Sequence, residues 1–413
     1  MILTLLRYEM KKILGGKFFW IALCLMLAVN ALMTCGLRQW TEWKDTMNSL
    51  GLDAGKSFQD YRKDNITHLA LTKDQYSIFE KSSKEELVAF EAAMIEKYGD
   101  GVFDPYAEHP IEMRNLPGYF GEQWSDEILV SIYQNLQSWN RANSDAFHSV
   151  VESAKIHAQK AEAEGDHYSV KRNEQIIHLY SKYRGEITYP VQGWDTFLFD
   201  TPTMLLVFLM VWLSTAGAFT SEREDQTILI LNTAKNGKGK TLAAKYLAGA
   251  VIAAWLTMLF QLFSLGGTWY HDGLMGVTQP VSTIDELLLF PYPIPVWQYL
   301  FLTLMCQTFT SVLLSVFLNA ISALSRSSTI SYVVGAVFLG CCILLNQCFS
   351  STMVFSGPLA LSLPLPFFDA FDTTNILGFP ILRAIVYGIL WSLVSAAMIL
   401  LSCKVYHKKE KVI

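Results

Sequence analysis

The sequence predicts an all-α polytopic membrane protein with six transmembrane helices, an N-terminal interfacial helix and a mainly helical extracellular domain. One apolar run precedes a long polar stretch, residues 38 to 201, and five more apolar runs follow it. The runs lie near residues 18 to 37, 203 to 220, 246 to 268, 297 to 321, 329 to 349 and 380 to 403. Each is long enough to cross a hydrocarbon core of about 30 Å as a helix.

The number of runs and their flanking charges predict the orientation of the chain. Lipid satisfies no backbone polar group, so each run is expected to be helical, and an even number of crossings puts both termini on one side. Lys and Arg cluster before the first run, between the second and third, and in the tail. The loops 269 to 296 and 350 to 379 contain neither residue. The positive-inside rule therefore places both termini in the cytoplasm and residues 38 to 201 outside.

Four regions follow from this layout. Residues 1–37 hold the interfacial helix and the first span, and residues 38–201 form the extracellular domain. Residues 202–403 hold the other five spans, with a cytoplasmic loop at 221–245, and residues 404–413 form a basic cytoplasmic tail. The localisation expected is the plasma membrane.

The N-terminal residues alternate with helical spacing. Ile2, Leu5 and Met10 share one face, while Arg7 and Lys11 line the other. This pattern is typical of an amphipathic helix at the inner membrane interface. Helix-forming windows in the polar stretch, near residues 73 to 98, 122 to 164 and 168 to 184, predict its helical content.

The chain lacks the residues that several other functions require. All seven cysteines lie in or beside apolar runs, so no disulfide framework is expected outside, which favours a bacterial source. The histidines of the polar stretch show no helical metal spacing. Apart from Arg383, the apolar runs contain no ionisable side chain, which disfavours an ion-driven carrier or an intramembrane enzyme.

Two further segments admit a structural or a functional interpretation. Polar side chains lie within or near the spans at Gln261, Gln307, Asn319 and Asn346, where helix packing is the simpler explanation. The proline-containing segment 351 to 379 fits either a re-entrant outer gate or an interfacial loop.

Residues 234 to 241 end in Gly-Lys-Thr, as a phosphate-binding loop does. Position 234 is Ala where such loops begin with Gly, and the segment joins two spans rather than a strand and a helix. We therefore expect no nucleotide site, no cofactor and no enzymatic activity in this chain.

The loop after the second span carries the best functional clue. An acidic turn, Ser221 to Thr227, is followed by the short apolar segment Ile228 to Leu231, a basic turn containing glycine, and Lys245. In this order and in its whole topology the chain resembles the ABC-2 type transporter permeases, among them the subgroup with a large extracellular domain between spans one and two.

The resemblance implies a permease subunit that works with a second permease chain and with separate cytoplasmic ATPases, which would bind the ATP and Mg. It favours export of a peptide, drug, lipid or ion, and it implies contact with membrane lipid but not with nucleic acid. The ATPase-coupling residues that it implies are Glu222, Arg223, Glu224, Ile228, Leu229, Leu231, Lys235, Lys238, Lys240 and Lys245.

An alternative is a membrane-anchored sensor or immunity protein whose extracellular domain captures a peptide or an envelope component. It accounts for the large polar stretch. It leaves the five further spans and the acidic-then-basic loop unexplained, because one or two crossings are enough to anchor a domain.

Overall fold

A computed structural model describes residues 2–37, 58–104, 110–182, 187–191, 193–224, 237–348, 357–362 and 370–409, which are predominantly helical. Within these ranges, six helical segments are long and apolar enough to cross a membrane. They are Lys17–Thr34, Trp194–Glu224, Gly239–Tyr270, Val296–Leu324, Ser328–Leu345 and Arg383–Val405. The prediction of an all-α polytopic fold is confirmed.

The N-terminal part consists of two helices joined by a sharp turn. They are α1 (Ile2–Leu14) and α2 (Lys17–Ala31), and a π-helical segment, Leu32–Leu37, continues α2. Gly15 donates its N–H to the Lys11 carbonyl at 2.8 Å, and a Cβ at this position would lie 2.7 Å from the same oxygen. Glycine therefore permits the close approach of the chain where α1 ends.

The described residues of the polar stretch between 58 and 191 contain five α-helices and a small hairpin. They are α3 (Phe58–Lys81), α4 (Lys84–Tyr98), α5 (Glu112–Asn115), β1 (Pro117–Gly118), β2 (Gly121–Ser125), α6 (Asp126–Glu164) and α7 (His167–Lys182). We call the described part of this stretch, 58–191, the inserted segment. The helix-forming window 73 to 98 contains parts of two helices, because α3 ends at Lys81 and Ser83 caps the start of α4 by a capping box with Glu86.

Aromatic side chains form the core of the inserted segment. Phe79 of α3, Phe90 of α4 and Tyr133 of α6 meet there, with ring centroids 5.6 Å apart for the first two and 5.5 Å apart for the last two. Such edge-to-face contacts add to the burial of the rings. This core holds α3 and α4 against the first half of α6.

The C-terminal half holds the remaining spans. Its elements are α8 (Trp194–Leu198), α9 (Thr201–Thr215), α10 (Thr220–Glu224), α11 (Gly237–Asp272), α12 (Val296–Leu324), α13 (Ser328–Cys348), β3 (Thr373–Ile376), β4 (Phe379–Leu382) and α14 (Arg383–Lys409). The sequence suggested that the second span is one helix. In the structure, residues 216 to 219 form a turn between α9 and α10.

Spans α11 and α12 pack closely through small and polar side chains. A Cβ at Gly249 would lie 2.4 Å from Asn319 Nδ2 and 2.6 Å from Ser315 Oγ. Further along, Thr257 Oγ1 donates to Ser311 Oγ at 2.8 Å. Small residues and interhelical hydrogen bonds are the usual means of helix association in lipid. Of the polar positions noted in the sequence, Gln261, Gln307 and Asn319 are buried, and the Asn346 side chain lies outside the described part.

The inserted segment contacts two loops between the spans. Thr188 donates its N–H to Gln279 Oε1 at 3.0 Å, in the loop before α12. Tyr168 Oη donates to the Thr373 carbonyl at 3.1 Å, in the β3–β4 hairpin before α14. The segment is thereby attached to the ends of two spans.

The segment 351 to 379, expected to be re-entrant or interfacial, is only partly described, since 349–356 and 363–369 lie outside the described residues. Its last part forms the β3–β4 hairpin. At the hairpin, Arg383 pairs with Asp372 at 2.9 Å. The guanidinium of Arg383 therefore forms an ion pair with a carboxylate of the same chain.

Candidate functional site

The predicted coupling residues are distributed over α10, α11 and the chain between them. Glu222, Arg223 and Glu224 form the end of α10, and Lys240 and Lys245 lie in the first part of α11. Ile228, Leu229, Leu231 and Lys235 lie outside the described residues, and Lys238 lies in α11 with its side chain undescribed.

The turn before α10 is fixed by contacts to α12 and α13. Phe219 donates its N–H to Ser322 Oγ at 3.0 Å, and Ser331 Oγ donates to the Ala216 carbonyl. A Cβ at Gly217 would lie 3.0 Å from the Tyr332 hydroxyl oxygen. These contacts hold the turn against two spans and orient the three charged residues that follow it.

Lys245 is the centre of a buried group of charges. Its Nζ lies 2.7 Å from Glu222 Oε1 and 3.2 Å from Glu9 Oε2, and it also donates to the Ala218 carbonyl at 2.8 Å. The side chains of Lys245, Glu222 and Glu9 are 1%, 6% and 7% exposed. Lys12 Nζ adds a contact of 3.2 Å to Glu222 Oε1 from the exposed side. We call Glu9, Lys12, Glu222 and Lys245 the charge cluster.

The charges of the cluster are balanced, since two carboxylates face two ammonium groups. Removing charges from water is costly, and the cost is offset only when each charge has a partner with good geometry. Burial raises the pKa of the Glu9 carboxyl above its ordinary value, whereas the Lys245 ammonium opposes that rise and the Glu222 carboxylate adds to it. The Lys245 ammonium pairs with both carboxylates and so offsets the cost of burying them.

The second and third spans are longer than expected. The predicted runs, 203 to 220 and 246 to 268, contain no ionisable group, but the candidate spanning segments of the structure, Trp194–Glu224 and Gly239–Tyr270, include Glu222 and Lys245. Lys245 was expected to lie just before the third span. Instead α11 begins at Gly237, and Lys245 lies about two turns inside the helix.

Arg223 donates hydrogen bonds to backbone carbonyl groups at the C-terminal end of α12. Its Nη2 donates to the Ala323 carbonyl at 2.8 Å, and its Nη1 donates to the Ser325 carbonyl. The last carbonyls of a helix have no partner within the helix and carry partial negative charge. A guanidinium is suited to this end because it presents several donors in one plane.

Glu224 caps the next helix. Its Oε1 accepts from the Ser328 N–H at 2.7 Å, and its Oε2 accepts from Ser328 Oγ at 2.6 Å, where α13 begins. A carboxylate is favourable at a helix N-terminus, where it meets unpaired N–H groups and the positive end of the dipole. Three consecutive residues of α10 thus contact α11, α12 and α13 respectively.

Sequence reasoning missed Glu9 and Lys12 of α1. Glu9 is the one acidic residue among the thirteen of α1, which was a usable signal, because a lone carboxylate in a basic helix indicates a specific partner. It links α1 to α11 through Lys245. Lys12 donates in addition to Ser221 Oγ at 3.4 Å, so α1 also contacts α10.

The segment that resembles a phosphate-binding loop has a different structure. Its described residues, 237 to 241, form the first turn of α11. Thr241 is 3% exposed. The Gly-Lys-Thr sequence therefore begins a membrane helix at this place.

Comparison with known proteins identifies the family. The family model described as ABC-2 family transporter protein matches residues 3–358, which include α1, the inserted segment and the spans through α13. No curated protein and no solved structure matches the chain with significant similarity. Members of this family are membrane components of ATP-binding-cassette transporters that associate with an ATPase and are not themselves ATPases. The chain belongs to the ABC-2 family and is a transmembrane permease of an ABC transporter.

Proposed function

We propose that this chain is the permease subunit of an exporter and that α10, residues 225 to 236 and the start of α11 receive the force of a cytoplasmic ABC ATPase. The observation that carries the proposal is the connection of α10 to four other helices at this one place. Glu222 meets Lys245 of α11 and Lys12 of α1, Arg223 meets the end of α12, and Glu224 meets the start of α13.

The mechanical argument follows from these contacts. Interfaces transmit force when packed elements move as a rigid body rather than deform. An ATPase bound to residues 225 to 236, including Ile228, Leu229 and Leu231, would displace α10 and the start of α11 together, because Glu222 joins them at 2.7 Å. The caps at α12 and α13 would carry the displacement to those spans. Lys235, Lys238 and Lys240 are proposed to flank the docking surface.

The proposed orientation places both termini and this loop in the cytoplasm and residues 38 to 201 outside. It is supported by Lys and Arg in the loop 221–245 and in the tail, and by their absence from 269 to 296 and 350 to 379. A second permease chain, of the same or another sequence, is proposed to complete the pathway. The substrate class proposed is a peptide, drug, lipid or ion.

The experiment is co-purification in detergent with the products of neighbouring genes, followed by an ATPase assay. Wild type is compared with the Glu222→Ala, Glu224→Ala double variant. We expect a bound ATPase whose retention or stimulation is lost in the double variant. Glu286→Gln is the control, because this exposed glutamate lies in the loop before α12, away from α10.

Two results would contradict the proposal. One is purification of the folded chain without any ATPase, which would favour the sensor or immunity protein instead. The other is full ATPase binding and stimulation in the double variant, which would move the coupling surface away from α10. Size-exclusion profiles of each variant establish that the spans remain assembled.

A further inference from the structure

A large cleft opens in the inserted segment. Its volume is about 860 Å³, and it lies between the α3–α4 connection, the middle of α6 and the end of α7. Small-molecule sites in proteins have volumes of about 300–1,000 Å³. Nothing in the coupling of α10 to the spans uses this cleft.

The cleft contains a buried hydrogen-bond acceptor without a partner. Asn143 lines the cleft and is 3% exposed. Its Nδ2 donates to the Ser282 carbonyl at 3.2 Å and to Ser282 Oγ at 3.1 Å. Because a carbonyl can only accept, the amide nitrogen must face Ser282. Asn143 Oδ1 is thus the atom left for a group in the cleft, and within the described residues it has no hydrogen-bond partner.

The mouth of the cleft favours a negatively charged ligand. Among the described lining residues, Lys84 and Arg141 bring two positive charges, whereas Glu91 is the one carboxylate and accepts from the Tyr133 hydroxyl at 3.2 Å. Arg141 is exposed. A guanidinium can bind a carboxylate through two parallel hydrogen bonds.

The lining contains both apolar and polar side chains. Leu87, Val88 and Val151 offer apolar contact, and Gln137 and Ser144 offer hydrogen-bonding groups. An acyl chain needs a continuous apolar chamber, whereas a peptide needs apolar contact for its side chains and polar groups for its backbone. The interspersed lining suits a peptide.

We propose that the cleft binds a short acidic peptide. A backbone N–H of the peptide donates to Asn143 Oδ1, a carboxylate pairs with Arg141 and Lys84, and an apolar side chain packs on Leu87 and Val151. This binding site is independent of the ATPase-coupling proposal.

The ligand would sit directly on the attachments of the inserted segment to the loop before α12. Asn143 and Tyr180 line the cleft and contact that loop, Asn143 at Ser282 and Tyr180 through a 2.5 Å bond from its hydroxyl to the Leu289 carbonyl. Thr188, another lining residue, contacts Gln279 of the same loop. A peptide bound in the cleft would therefore touch the residues that attach the inserted segment to the loop before α12.

The test uses the full chain in detergent without an ATPase, so its failure is distinct from failure of the coupling proposal. The probe is dansyl-Leu-Gly-Asp with a free carboxyl terminus, and binding is measured by fluorescence anisotropy. We expect saturable binding that Arg141→Gln weakens by about tenfold, as loss of one charge-assisted pair predicts. Lys160→Gln, an exposed cation of α6 outside the cleft lining, should bind as wild type does.

A second pair of variants tests the location. Ser144→Trp fills the cleft and should abolish binding, whereas Ser149→Trp, at an exposed serine on the same helix outside the lining, should leave it unchanged. The neutral probe dansyl-Leu-Gly-Asn-amide should bind about tenfold more weakly.

Four results would overturn the proposal. They are the absence of saturable binding, equal binding of the two probes, unchanged binding in Arg141→Gln, and displacement of the probe by a lysophospholipid but not by unlabelled Leu-Gly-Asp. The last result would assign the cleft to a lipid. Arg141→Gln decides the matter even if Ser144→Trp does not fold, because Arg141 lies at the exposed mouth.

Discussion

Lys245 Nζ lies 3.2 Å from Glu9 Oε2, although 236 positions separate the two residues in the sequence. The same ammonium lies 2.7 Å from Glu222. One buried cation therefore joins the N-terminal helix, the end of the second span and the third span. Any movement of α10 relative to α11 must break or carry along this contact, so α1 would take part in the coupling proposed for α10.

Lys245→Met should strongly destabilise the protein, because it leaves the carboxylates of Glu9 and Glu222 buried around an apolar side chain. Removal of one partner from a buried ion pair costs about 3–5 kcal/mol. The measurement is thermal unfolding in detergent. Lys240→Met is the matched control, since Lys240 is half-buried on the same helix, and its loss should stay below about 0.5 kcal/mol. Equal losses in the two variants would contradict the central role of Lys245.

Glu9 should make the stability of the protein fall as the pH rises. Burial raises the pKa of Glu9 in the folded state, against the opposing charge of Lys245 and together with that of Glu222, with Lys12 a weaker opposing influence. The Glu9 carboxyl therefore keeps its proton to a higher pH in the folded state than in the unfolded state. The free energy of unfolding decreases as the pH rises from the pKa of Glu9 in the unfolded state through its pKa in the folded state. It does not recover at higher pH.

Glu9→Gln removes this titration while keeping the shape of the side chain. Between about pH 4 and pH 7, the thermal midpoint of wild type should fall relative to that of Glu9→Gln. Midpoints measured in one detergent across this range provide the test. A difference that grows in favour of wild type with rising pH would mean that the Lys245 attraction outweighs burial.

The sequence predicted the spans but not the whole cluster, for a physical reason. Apolar runs report the cost of placing polar groups in lipid, so the six spans could be located, although the second and third spanning segments begin nine and seven residues before their predicted runs. Glu222 and Lys245 were reached through the family resemblance. Glu9 was missed because an amphipathic pattern assigns a charged residue to the water-facing side, and its true environment depends on a partner on a distant helix.

The inserted segment shows a similar limit. Helix-forming composition located α4, α6, α7 and the end of α3, yet composition averages over the break after Lys81, where the Ser83 hydroxyl and the Glu86 carboxylate form the capping box that starts α4. Outside the inserted segment, the β3–β4 hairpin before α14 was also not predicted from the sequence. It spans four residues on each strand, and short strands are stabilised by their contacts, here with α7 through Tyr168, rather than by local pattern.

Gly249→Ala should weaken the packing of α11 on α12. The added Cβ would lie 2.4 Å from Asn319 Nδ2 and 2.6 Å from Ser315 Oγ, so a side chain or a helix must shift. Overpacking costs about 1–3 kcal/mol, which thermal unfolding in detergent would detect. Gly266→Ala on the same helix is the control, because nothing lies within 4 Å of its added Cβ.

A double variant separates this clash from a loss of glycine flexibility. Asn319→Ser shortens the side chain that the new Cβ meets, so Gly249→Ala combined with Asn319→Ser should recover part of the loss. Additive losses in the double variant would indicate that the two residues do not interact.

Asp126→Asn should unfold the junction between α4 and α6. Asp126 is 1% exposed and accepts from Lys97 Nζ at 2.7 Å, from the Tyr98 hydroxyl at 2.9 Å and from the Tyr119 N–H at 2.9 Å. The variant keeps the volume but removes the charge and one acceptor oxygen. Hydrogen bonds to charged groups contribute about 1.5–3 kcal/mol each, so a loss of at least about 2 kcal/mol is expected for the variant.

Glu127→Gln supplies the comparison for Asp126→Asn, since it changes the next residue in the same way at a partly exposed position. Glu127 pairs with Arg114 at 3.1 Å, and the Arg114 side chain is 66% exposed, so its ion pair should contribute little. Hydrogen exchange of the first turns of α6 in the full chain should rise sharply in Asp126→Asn and stay near wild type in Glu127→Gln. Similar exchange in both would show that the helix N-terminus, rather than the three donors to Asp126, sets the stability of this junction.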